Sequence, residues 1–85
     1  MTAQKREQLE AMNNLAAKGR AITLQEVLRK LDYSFYVSIV PRNLYKYEVV
    51  FFNRFDKFKA TFYENGKGAL ILLCVILPED NKPFA

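Results

Sequence analysis

Nine consecutive apolar residues, Ala69 to Leu77, make up most of the run GALILLCVIL near the end of a chain of 85 residues. The run is too short to cross a bilayer as a helix, which takes about 20 apolar residues. As a strand it presents apolar side chains to both sides of a sheet. One side packs on a core and the other needs a cover.

Two helices precede it. Residues 3–18 place Leu9, Met12, Leu15 and Ala16 at helical spacing and are followed by Gly19, where a helix stops. The apolar stripe is narrow. Residues 23–32 have the clearer start: Thr23 with Glu26 forms a capping box, and Ile22 before it and Val27 after it form a hydrophobic staple. Leu24, Val27, Leu28 and Leu31 give this helix a buried face.

From Tyr33 the period changes to two, so residues 33–77 read as four strands. Tyr33, Phe35, Val37 and Ile39 share one side of the first, which Pro41, Arg42 and Asn43 are expected to end. In the second, from Leu44 to Asn53, Tyr45, Tyr47, Val49 and Phe51 point inward while Lys46, Glu48, Val50, Phe52 and Arg54 point outward. The third, from Lys57 to Glu64, alternates Phe58, Ala60 and Phe62 with Lys57, Lys59, Thr61 and Tyr63. Asn65-Gly66 follows, the pair favoured in a two-residue hairpin because both central residues need positive φ.

That turn predicts a register. With Glu64 opposite Lys67, Phe62 lies opposite Ala69, Ala60 opposite Ile71 and Phe58 opposite Leu73, and these line the core with Val75. Leu70, Leu72, Cys74 and Ile76 then fall on the outer face. A longer loop shifts the register by one, yet both faces of the last strand stay apolar. The fold class is therefore α+β, of order ααββββ, with a mainly antiparallel sheet in a single domain spanning 1–85. Residues 78–85, with two prolines, read as an extended or loosely ordered tail, more a plain disordered end than an arm whose Phe84 clips into a partner subunit.

A domain of this size buries only about two-thirds of the surface its unfolded chain exposes. Its chemistry is narrow as well. There is no histidine, and the single cysteine, Cys74, rules out an intramolecular disulfide, so a cytoplasmic setting is expected. Cys74 within LLCVI reads as a small buried hydrophobe rather than a nucleophile. The carboxylates are scattered, and one thiol without imidazole builds no zinc site. NGKG at 65–68 joins two strands, whereas a phosphate loop leads from strand to helix. No catalytic residue, metal ligand or cofactor site is expected. The first residues carry no apolar segment after their basic ones, so neither a signal peptide nor a membrane partner is expected.

The outer sheet face carries the functional expectation. Val50, Phe52, Leu70, Leu72, Cys74 and Ile76 form an apolar centre, and Tyr36, Lys46, Arg54, Lys57, Lys59 and Tyr63 a basic and aromatic rim, as contact surfaces are commonly built. The net charge of +4 is concentrated between residues 41 and 60. Three covers compete: the first helix, a second copy that also pairs an exposed last strand, or another protein with an acidic patch. The leading expectation is a non-enzymatic protein-binding regulator, of inhibitor or adaptor type, acting as a homodimer through this face. The alternative is a nucleic-acid-binding module, in which bases stack on Tyr36 and Tyr63 while the cations meet phosphates.

Overall fold

The computed structural model describes residues 2–77, and the tail expected at 78–85, with Phe84, lies outside them. Helices α1 (Ala3–Ala17) and α2 (Leu24–Lys30) precede strands β1 (Tyr36–Asn43), β2 (Lys46–Phe52), β3 (Lys57–Glu64) and β4 (Leu70–Ile76). The strands form one antiparallel meander in the order β1-β2-β3-β4. This is the expected ααββββ arrangement.

Local chemistry sets the helix ends. Thr23 accepts a hydrogen bond from the Glu26 amide, and Thr2 does the same for Lys5 at the start of α1. α1 ends in a Schellman cap, with the Gly19 amide donating to Ala16 and that of Arg20 to Leu15, and Gly19 supplies the positive φ of 93°. α2 ends the same way without a glycine. Asp32 takes φ 56°, its amide donates to Arg29, and the Tyr33 amide donates to Leu28 at 2.8 Å. Tyr33 therefore belongs to the helix cap and not to the first strand, a correction to the expected start of β1. Tyr45 likewise leaves the inner face, because it sits at φ 66° in the turn between β1 and β2.

Both helices pack on the same face of the sheet. Leu9 and Met12 of α1, Val27 of α2, and Ile22 and Leu31 beside α2 join Val49, Phe51, Phe58, Ala60, Phe62, Leu72 and Val75 in one core. Phe51 stacks on Phe58 at 4.6 Å between centroids, and Phe35 meets Phe58 edge-on at 5.3 Å. α1 thus lines the core beside α2 and leaves the outer face to the sheet, which closes the three-layer alternative.

The register of β4 differs from the expected one twice. Residues 65–69 form the connection, with Asn65 Oδ1 accepting from the amides of Lys67 and Ala69, so Glu64 pairs with Leu70 rather than with Lys67. This turns Leu70 and Leu72 inward, opposite Glu64 and Phe62. A bulge follows: Phe62 faces Leu72 while Thr61 faces Cys74, and Leu73 is the extra residue. The bulge restores the expected parity, so Val75 is inward and Cys74 and Ile76 are outward. The inward set is Leu70, Leu72 and Val75 instead of Ala69, Ile71, Leu73 and Val75.

Nor is β4 an open edge. The Leu72 amide donates to the Ile22 carbonyl at 2.7 Å, Thr23 bridges to Ile71, and the Val75 amide donates to Asn13 Oδ1 at 2.8 Å. The helical half covers the edge that a second copy was expected to pair.

β1 runs past Pro41 to Asn43, which the sequence reading ended earlier. The hydrogen-bond pattern explains the tolerance. The Asn53 amide donates to Asp56, so odd-numbered residues of β2 direct their backbone groups to β3 and even-numbered ones to β1. Pro41 faces Tyr47 and therefore turns its backbone to the free edge, where a missing N–H breaks no ladder bond.

Candidate functional site: the outer face of the sheet

The registers arrange the outer face in rows across the strands. Tyr36, Phe52 and Lys57 form one row, and Ser38, Val50, Lys59 and Ile76 the next. Val40, Glu48, Thr61 and Cys74 follow, and Lys46, Tyr63 and Ile71 complete the face. Strand pleating alone puts these side chains together, since successive residues alternate faces.

Of the apolar centre expected here, Val50, Phe52, Cys74 and Ile76 are present. Leu72 is not: it is 2% exposed and sits in the core against the helices. Leu70 also packs against that core. The physical cause is the five-residue loop, which inverts the parity of β4 ahead of the bulge. Leu73 takes their place on the open side, 38% exposed, beside Phe52 at 39% and Ile76 at 46%. Cys74 was expected to be buried and is exposed, because no element among the described residues covers its face. Ile71, on the same side as Tyr63, is buried where Thr23 bridges to it.

The basic rim is a column more than a ring. Lys57 and Lys59 stand on β3, between the apolar side chains of β2 and those of β4. Lys46 lies opposite Tyr63 at the far end, and Arg54 is exposed in the turn after β2. That turn is built by Asn53, whose Oδ1 accepts from the amides of Phe55 and Asp56 at 2.9 and 2.7 Å. It presents Phe55 at 86% exposure, a residue that sequence reasoning passed over. A lone aromatic in a turn breaks no periodicity, so nothing marked it.

Glu48 is the one acid within the rows. Arg42 donates a 3.0 Å hydrogen bond to its Oε1 and, with that bond as the main cause, holds the carboxyl below its ordinary value of 4.5. Desolvation opposes that bond, and the charges of Arg42 and Lys59 add smaller contributions in its direction. Among the described residues, Lys46, Lys57 and Lys59 thus share the face with a single carboxylate, already engaged by Arg42. The described charges of the outer face therefore sum to a positive value.

At one corner the Tyr36 and Phe52 rings lie 5.9 Å apart and tilted by 33°, with Lys57 next to Phe52 in the same row. Elsewhere, a cleft of about 420 Å3 opens between the start of α2 and the β3–β4 loop, lined by Thr23, Leu24, Gln25, Leu28, Gly68, Ala69 and Leu70. None of those side chains ionises, so the cleft offers no acid, base or charged ligand. Among the described residues no group of His, Cys, Asp or Glu is placed to hold a metal ion, and no helix is long and apolar enough to cross a membrane.

Comparison with protein-family models, with curated proteins and with solved structures gave no match.

Proposed function

We propose that this chain is a non-enzymatic binding protein of inhibitor or adaptor type, and that its outer sheet face takes a partner protein carrying an acidic patch. One observation carries the reading. Phe52, Leu73 and Ile76 stand open beside Lys57 and Lys59, while both helices are committed to the opposite face. Desolvating the apolar side chains supplies affinity, and the lysine column sets orientation and selects the sign of the partner. Nothing in this role requires a general base or a metal, and a setting in the cytoplasm suits the exposed thiol of Cys74.

Homodimerisation through this same face fits less well. Stacking two copies would set Lys46, Lys57 and Lys59 of each against those of the other, with Glu48 the one described acid of each face to offset them. The second reading, binding of single-stranded nucleic acid, is favoured by the Tyr36–Phe52 pair next to Lys57, where a base can stack and a phosphate can be met.

The test is affinity capture with the wild type, Ile76→Glu and Lys59→Glu, alongside titration of labelled oligonucleotides at about 50 and 200 mM salt. A protein retained by the wild type and lost by both variants supports the proposal. Oligonucleotide binding that weakens steeply with salt, with no protein dependent on Ile76, overturns it in favour of the second reading.

A further inference from the structure

The two edges of the sheet are treated differently. β4 is tied to Ile22, Thr23 and Asn13, whereas β1 is the terminal strand on the other side and both helices pack toward β4. From the alternation that places Pro41 at the free edge, Val37 and Ile39 also turn their backbone N–H and C=O groups outward, because they face Phe51 and Val49. Ile39 is on the helix-bearing side of the sheet yet 46% exposed, since the helical layer stops short of it. Residues 36–41 carry no charge, and the nearest cation, Arg42, is paired with Glu48 in its own chain. A long uncharged edge is what soluble proteins normally block with lysine or proline. Here the block begins only at Pro41 and at the bulge between Pro41 and Asn43.

We infer that β1 pairs antiparallel with β1 of a second copy, about a two-fold axis at Ser38, to give a continuous eight-stranded sheet. The occupant is a copy because this ledge is self-complementary. With Ser38 opposite Ser38 of the second copy, Val37 of each chain meets Ile39 of the other, and the outward donors and acceptors match as two hydrogen-bonded pairs. Moving the axis by one residue to Ile39 would set Val37 against Pro41, which has no N–H to give. The chosen register also lays Val37 and Ile39 of both chains side by side on the helix-bearing face, a favourable β-branched contact, and brings no like charges together. A basic partner face elsewhere on the molecule plays no part, so the pairing stands or falls independently of the outer-face reading. It leaves that face open in both copies.

The register gives a direct test. Ser38 in such a pair is a non-hydrogen-bonded position, where facing Cα atoms lie about 4.5 Å apart, within the range of about 4.4 to 6.8 Å that a disulfide spans. Ser38→Cys in a Cys74→Ser background, treated with diamide as oxidant, is expected to give a covalent dimer. Val40→Cys in the same background, whose copies are offset by several residues, is expected not to. Sedimentation equilibrium of the wild type between about 1 and 500 µM is expected to reach twice the 9.9 kDa of one chain. Ile39→Pro removes an outward N–H without touching the β1–β2 ladder and is expected to stay monomeric with an unchanged far-ultraviolet spectrum. A wild type that remains monomeric throughout overturns the inference. So does a dimer in which Val40→Cys links as readily as Ser38→Cys, or a folded Ile39→Pro that still dimerises. If Ile39→Pro unfolds, the cysteine pair alone decides.

Discussion

Leu72 and Leu73 are adjacent, chemically identical and on opposite sides of the sheet, because the bulge puts one against Phe62 and leaves the other over. Leu72→Ala should therefore destabilise the protein by about 2–5 kcal/mol in urea denaturation, as for a core truncation. Leu73→Ala, on the open side, should change stability by less than about 1 kcal/mol. Equal effects would refute the bulge. Nothing at the residue scale announced this difference, since a strand apolar on both faces specifies its own register weakly. Thr23 was legible, because a hydroxyl three residues ahead of Glu26 has one clear use, and Thr23→Ala should cost about 1 kcal/mol. Glu48 adds a pH dependence. Its carboxyl is held below 4.5 by Arg42 in the folded chain, so its contribution to stability is complete above the unfolded value and is lost as pH falls through the lower folded one. Glu48→Gln should flatten the acid limb of the urea midpoint below pH 4.5, and an unchanged limb would remove Arg42 as the cause.

Among the elements, helices and strands were legible in order and nearly in extent, because each switch of hydrophobic period coincides with a turn or cap. The ends were less so. Asp32 closes α2 from a left-handed conformation that glycine usually supplies, and this draws Tyr33 out of the strand its alternation had suggested. Pro41 looked like a stop and is an edge residue. The distinction depends on which way a backbone group points, information that lies in the pairing partner rather than in the residue itself. The same reasoning makes Asn13 an edge guard. Its Oδ1 accepts from the Val75 amide across a gap of 62 residues in sequence. Asn13→Ala should cost about 1–3 kcal/mol for the lost bond and raise hydrogen exchange at Val75 above that at Leu72, whose partner is backbone. Equal exchange at the two amides would mean that Asn13 is not what seals the strand.

On the scale of the whole molecule, α1, Ile22 and α2 lie ahead of the sheet in the chain, while the nine-residue apolar run comes after the residues that pack on its inner side and guard its edge. A ribosome delivers residues in that order. By the time Ala69 to Leu77 emerge, Asn13, Ile22 and the inner faces of β2 and β3 are already outside the exit tunnel, so the stretch most prone to stick to other chains meets its own neighbours first. A circular permutant that joins the strands ahead of the helices would contain the same contacts but synthesise the hazard before its guard.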